Sequence, residues 1–448
     1  MSPRLRSGLL AALLSTGLCT IAWQKAWIDP VRLLKAPATP ADDTVVFIVL
    51  DTVRADRMSA CGYERPTTPV LEALAADHPL SCDAYAPGSW TLPSHASYFT
   101  GLEVPEHGAH SLAQGGEVLG HNTSEQVRPL GPEPQTLAEA FSARGYDTLS
   151  VSGNPVVSEA SGLTRGFDHQ RAPGRFGSWY GQDLVRQLQH GLESASHADR
   201  PLFVFVNIAD AHVPWTAIPE GVGWVPARPG LDWSEGTLWA DFLGGRMGSV
   251  ARQDFLAHLS DLYDYGVHRA DQALGEVIGK LSAWNRLGPG SRLVITSDHG
   301  EYLGEDDLID HGHYLGEPNN RVFLMANQGG PFPTPVSALA AHGLVLDGAL
   351  PDPLPPTRAA AYPHAQRAEW AEERWFTRTS AAGWSADQKV LWSDEQGWTT
   401  GARGGPLSSS PPDPHLEPFV QAVQASGVPT GEVDPALLEA LRAAGYMD

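Results

Sequence analysis

Four β-rich runs constrain this chain more than any other feature: residues 44–50 (TVVFIVL), 148–152 (TLSVS), Leu202–Ile208 (LFVFVNI) and Arg292–Thr296 (RLVIT). Their apolarity is continuous rather than alternating, which predicts strands covered on both faces. Helical patterns lie between them. Residues 136–143 start at a threonine cap and stop at Gly145, and residues 254–284 repeat apolar side chains at Phe255, Leu259, Leu262, Leu274, Val277 and Leu281. Alternation of strand and helix predicts an α/β fold, with a mostly parallel central sheet and helices on both faces.

The residues just beyond each run carry the functional information. Asp51 comes after the first, Gly153 and Asn154 after the second, Asp210, Ala211 and His212 after the third, and Asp298, His299, Gly300 and Glu301 after the fourth. In open parallel sheets the carboxyl ends of the strands face one crevice, where ligands bind. A single Asp after a strand is ordinarily a turn or cap residue, but four polar ends converging on one edge point to a site.

The segment 89–101 (SWTLPSHASYFTG) is the sharpest local pattern. Pro93 suits the first turn of a helix and Gly101 its end, which places Thr91 at or just before the N-terminus. A hydroxyl there lies in the positive field of the helix dipole, beside N–H groups that can hold anionic oxygens.

These segments together resemble the alkaline phosphatase and sulfatase-like hydrolases, from about residue 44 to the end. The stretch 48–56 (IVLDTVRAD) looks like the first metal-binding strand end of that superfamily, and 68–74 (TPVLEAL) like the helix after it. The Thr91 segment aligns with the signature Cys-x-Pro-Ser-Arg, and 296–301 (TSDHGE) with the second metal motif. His311-Gly312 through Glu317 to Arg321-Val322 matches the stretch beyond it, and 441–446 (LRAAGY) resembles the usual close. The departures are informative. Thr91 stands where sulfatases oxidise a Cys or Ser to formylglycine, so the resemblance narrows to the branch with a threonine nucleophile. His95 replaces the signature Arg, Thr52 the second Asp of the usual pair, and His299 the Asn of many calcium sulfatases.

The resemblance implies a divalent ion, Mn, Mg, Zn or Ca, held by Asp51, Thr91, Asp298 and His299; the imidazole shifts the choice from calcium toward softer cations. It implies Thr91 as nucleophile through a covalent phospho-Thr, with His212 and His311 as catalytic and substrate-contacting groups. His95 and Asn154 complete the expected substrate contacts, His95 either orienting Thr91 or simply packing. A second metal, on His212, His311 and Asp210, is a further reading, and Glu301 is expected to support the site rather than to bind metal. His107, before Gly108, either matches a family position or caps a turn, and His313 is expected to face solvent. The implied activity is hydrolysis of phosphate, phosphonate or sulfate esters. Alternatives are a sulfatase in the strict sense, a transferase of the phospho group to an alcohol, and a non-catalytic member of the superfamily.

Charge and the N-terminus bound the partners. Lys plus Arg number 30 against 52 Asp plus Glu, a net charge of −22 that repels nucleic acid; the resemblance implies small-molecule, glycan or lipid esters as partners. Arg4 and Arg6 precede an apolar stretch from Gly8 to Trp23, so residues 1–23 read either as a cleaved signal or as a retained membrane anchor. The expected location is exported: periplasmic, extracellular or membrane-anchored. Residues 24–43 read as a linker, 44–330 as the catalytic domain and 331–448 as a C-terminal subdomain, with strands expected at 374–378 and 389–392 and a helix at 435–444. The insert 214–247, rich in Trp and Gly, reads as a lid, a substrate platform or a packed loop. Three cysteines exclude a disulfide framework, and Cys61 and Cys82 either pair in an oxidising compartment or pack as small core residues.

Overall fold

A computed structural model describes residues 44–111, 127–195, 200–230, 237–312, 314–362 and 379–426. The N-terminal apolar stretch, the linker, residues 231–236 of the insert, His313, the expected strand at 374–378 and the closing segment from 427 lie outside the described residues.

The four β-rich runs form the middle of an eight-stranded sheet. The strands in chain order are β1 (Val45–Leu50), β2 (Leu80–Tyr85), β3 (Asp147–Ser152), β4 (His169–Arg171), β5 (Leu202–Ile208) and β6 (Arg292–Thr296). A two-stranded hairpin of β7 (Tyr302–Leu303) and β8 (Ile309–Asp310) comes next, and then β9 (Arg321–Ala326) and β10 (Val336–Ser337). The sheet order is β10-β2-β9-β6-β1-β5-β3-β4. Pairing is parallel from β6 through β1, β5 and β3 to β4, whereas β9 runs antiparallel to both β6 and β2.

Strand composition explains the two-sided cover. In β1, Val46, Ile48 and Leu50 face one core and Val45, Phe47 and Val49 the other, all buried. The first core is closed by helices Pro69–Ala75, Gln182–Ser194 and Ser249–Ala283; the second by Thr91–Thr100, Leu137–Ala143 and Ala341–Asp347. The helix Leu137–Ala143 begins as its sequence indicates: Thr136 Oγ1 accepts from the Glu139 N–H, and the Glu139 carboxylate accepts from the Thr136 N–H. The long helix starts at Ser249, five residues before its apolar period becomes evident. Cys61 and Cys82 are joined in a disulfide.

Register decides where the polar residues go. Leu50 pairs with Ile208, Val49 with Thr296 and Ser152 with Asn207, so the central strands finish nearly level. Asp51, Asn154, Asp210 and Asp298 therefore leave the sheet along one edge.

A smaller antiparallel sheet completes the chain: β11 (Arg358–Ala361), β12 (Ser380–Trp384), β13 (Gln388–Ser393), β14 (Gly397–Ala402) and β15 (Ser408–Ser409), in that order. One face packs on helix Glu417–Ser426 through Phe419, Val420 and Val423, and the other on Tyr85 and Leu315 of the main body. Arg403 to Asp83, Arg358 to Glu103 and Lys389 Nζ to the Leu315 carbonyl tie the two parts together.

Candidate active site

Thr91 is the first residue of helix Thr91–Thr100, preceded by extended Trp90 and closed by Gly101 at φ 73°. Its Oγ1 accepts from the Asn154 amide at 3.0 Å and lies 3.5 Å from His299 Nε2. Asp51, Thr91, Asn154, Asp298 and His299 have no solvent exposure.

The two carboxylates have the same asymmetry. Asp51 Oδ2 accepts from the amides of Asn154 (2.7 Å) and Asn207 (3.0 Å), and Asp298 Oδ1 from the N–H groups of Thr52 (3.1 Å) and His299 (3.0 Å). Thr52 stands at φ 60°, in the left-handed region, as it donates its N–H to Asp298. The remaining oxygens, Asp51 Oδ1 and Asp298 Oδ2, are buried and accept no hydrogen bond among the described residues. Histidine nitrogens approach them at 3.4 to 3.8 Å.

Two bare anionic oxygens in a dry interior cost several kcal/mol unless a positive charge joins them. Burial, and after it the charge of Asp51, pushes the Asp298 carboxyl well above its ordinary range. The histidine is not the missing charge. Burial, then His311, holds the His299 imidazole well below its usual value, so the ring is neutral. Its Nδ1 donates to the Gly300 carbonyl at 2.9 Å, which leaves the Nε2 lone pair facing the carboxylates. Asp51, Asp298 and His299 can each offer one atom to a shared cation, and those atoms lie within 4.8 Å of one another. Neutral imidazole with two carboxylates fits a divalent ion such as Zn, Mn or Mg.

Two histidines border this group. The His311 ring lies 4.4 Å from that of His299, and the His212 ring 4.9 Å from that of His311. His212 stacks on Phe176 at 4.1 Å and donates Nδ1–H to the Val213 carbonyl.

The family described as Sulfatase matches residues 43–331. The chain belongs to the sulfatase family. This makes it an ester-hydrolysing enzyme by family. Among solved structures, the phosphonate monoester hydrolase of Agrobacterium radiobacter is similar over 86% of this chain and 96% of that one, at 16% identity and a TM-score of 0.60. A 2-O GAG sulfatase covers 86% and 90% at 15% identity and 0.50, and a Vibrio parahaemolyticus protein of the alkaline phosphatase superfamily covers 90% and 86% at 17% and 0.51. At these identities the likeness is one of fold. No curated protein matches the chain in sequence.

The other residues singled out in the sequence take the following places in this sulfatase-family protein. His95, read as a substrate contact or as a residue that orients Thr91 or packs, has no exposure and uses both ring nitrogens internally: Nδ1 donates to the Thr91 carbonyl at 2.9 Å, and Nε2 faces the Asn207 amide at 3.4 Å. Burial takes it down to about 4, so it is a neutral strut beneath Thr91. Asn154, expected to touch substrate, bridges Asp51 and Thr91. Asp210 does not join His212 and His311 in a second metal site: it accepts from Arg269 at 3.0 Å and from the Gly181 N–H at 3.0 Å. His107 caps the turn at the end of its short helix, one of the two roles read for it: it is buried, with Nδ1 accepting from the Ala109 N–H and Nε2 3.0 Å from Ser97 Oγ. Asn207 escaped the sequence reading altogether. Its signal was there, as the one amide in an otherwise apolar strand, a residue before the strand's end.

Proposed function

We propose that the chain is a metal-dependent hydrolase of phosphate, phosphonate or sulfate esters with Thr91 Oγ as the nucleophile. The observation that supports this most is the placement of that hydroxyl: at a helix N-terminus, held by Asn154, beside two carboxylates that each keep one bare oxygen. Asp51, Asp298 and His299, with Thr91 itself, would hold the ion. A divalent cation bound there lowers the pKa of the hydroxyl and neutralises an ester oxygen.

The chain's own groups supply the rest. The Asn154 amide aims the Thr91 oxygen, and the start of the helix offers N–H groups to the anion. Thr91 Oγ bonds to phosphorus as the ester oxygen leaves, while Nε2 of His311 or His212 takes the Thr91 proton and passes it to that oxygen. In the second half the same imidazole takes a proton from water, whose oxygen displaces Thr91, and returns that proton to the Thr91 oxygen. A hydroxyl rather than an aldehyde hydrate at position 91 favours phosphate and phosphonate over sulfate. The disulfide and the basic, apolar N-terminus support an exported protein, with glycan, lipid or small-molecule esters as substrates.

The test combines elemental analysis with a panel of aryl phosphate, phosphodiester, phosphonate and sulfate esters. Thr91→Ala is expected to lose turnover by more than about 10³-fold, and intact mass after quenching is expected to show a phosphoryl adduct that the variant lacks. Undiminished activity of Thr91→Ala with metal bound would overturn the reading. A large preference for aryl sulfate would move it to a sulfatase in the strict sense.

A further inference from the structure

A second buried cluster lies next to the first. Glu301, Asp310 and His311 are each at most 3% exposed, and Nδ1 of His311 is 3.0 Å from Asp310 Oδ1 and 3.2 and 3.4 Å from the Glu301 oxygens. The β7–β8 hairpin builds this contact. Tyr302 pairs with Asp310 and Leu303 with Ile309, so the next position in the same register sets Glu301 opposite His311. Asp310 stands at φ 76°, a conformation that Asp tolerates better than most residues. Its carboxylate also accepts the His311 N–H at 2.8 Å.

Three imidazoles gather here, and their Nδ1 partners differ. His299 donates to the Gly300 carbonyl and His212 to the Val213 carbonyl, both neutral acceptors supplied by the adjacent residue. His311 has two carboxylates instead. Buried carboxylates without a positive or hydrogen-bonding partner are costly, and the imidazole N–H is the donor that this pair shares.

We propose that Glu301 and Asp310 are positioning residues: together they fix the proton of His311 on Nδ1 and orient the ring, leaving Nε2 as the nitrogen that works at the Thr91 centre. The proposal rests on the reading of His311 as a group that meets the ester. Carboxylates acting through a histidine in this way fix its tautomer and ring orientation, and their removal lowers activity without removing the working atom.

The test uses the full-length, metal-loaded enzyme with an activated aryl phosphoester and, separately, ring ¹⁵N NMR of histidine-labelled protein. Glu301→Ala is expected to lower kcat by about 10 to 100-fold, with KM held within about threefold and metal content unchanged. Glu301→Gln, which keeps an acceptor oxygen, is expected to retain most of the parent kcat, as is Asp310→Asn, which keeps an acceptor and tolerates the same backbone conformation. In the NMR spectrum the His311 signals, assigned by their loss in His311→Gln, are expected to show the Nδ1–H form in the parent and a shift toward Nε2–H in Glu301→Ala. Three results would overturn the proposal: an Nε2–H ring in the parent, unchanged kcat and ring signals in Glu301→Ala, or loss of a bound metal equivalent in that variant, which would mark the cluster as a cation site. The spectrum does not depend on the ester chemistry. Retained turnover in Thr91→Ala therefore sinks the hydrolase reading alone, and a failed tautomer assignment sinks the clamp alone.

Discussion

The Asp51–Asp298–His299 cluster and the Glu301–Asp310–His311 cluster contain the same kinds of group, two acids and one histidine, yet they are built for opposite ends. The first is assembled from the ends of two neighbouring strands, and each of its carboxylates keeps one oxygen bare. Its histidine turns a lone pair inward. The second comes from one hairpin, and its carboxylates close on the N–H of their own histidine. Composition alone does not make a metal centre; the direction of the imidazole proton separates a ligand set from an internally satisfied one.

The widest separation between the clusters should appear on alanine substitution. Asp298→Ala removes the bare oxygen and is expected to abolish both metal binding and turnover, the latter by more than about 10³-fold. Glu301→Ala should retain the metal. Equal metal loss in the two variants, by elemental analysis, would erase the distinction between the clusters.

Stability gives a smaller contrast. A cation that binds the folded state alone contributes about 3 kcal/mol when present at 100 times its Kd. Chelation should lower the melting temperature of the parent enzyme by a corresponding amount and that of Asp298→Ala hardly at all. Calorimetry with and without EDTA reads both, and a parent protein indifferent to chelator would remove the metal from the first cluster.

How much of this was legible in the sequence depends on whether a residue's role is set locally or by the chain's return. Asp51, Asp298 and His299 lie just beyond runs whose continuous apolarity marks central strands, and Thr91 stands between an extended segment and a proline-marked first turn. Those positions could be read before folding. The antiparallel β9, inserted between β6 and β2, could not, because no local pattern records its neighbours. Nor could the partner of Glu301, which lies ten residues on, across a hairpin of two-residue strands that periodicity cannot register. His95 illustrates the converse. Its place in the motif left a substrate contact, the orienting of Thr91 and simple packing all open, and the choice rests on Phe99, Phe205 and Tyr98, which enclose the ring from distant parts of the fold and from its own helix.

Asp210 sharpens the comparison further, as a third acid on the same sheet edge with its positive charge supplied by Arg269, 59 residues away on the long helix. Burial outweighs that cation and pushes its carboxyl up to about 6, against 3.8 for an unperturbed Asp. A folded-state value above the unfolded one gives stability that is complete below about pH 4 and is lost as pH rises toward 6. Above pH 6 the carboxylate is charged and depends on Arg269. Arg269→Met is therefore expected to cost about 2 kcal/mol at pH 8, toward the low side for a broken buried pair because the guanidinium is one-quarter exposed. At pH 5, where the carboxyl of the folded parent is largely protonated, the cost should shrink to a fraction of that. Urea unfolding of parent and variant at the two pH values measures the difference. A cost independent of pH would show that Arg269 acts there through packing, and that Asp210 differs from Asp51 and Asp298 in more than the source of its counter-charge.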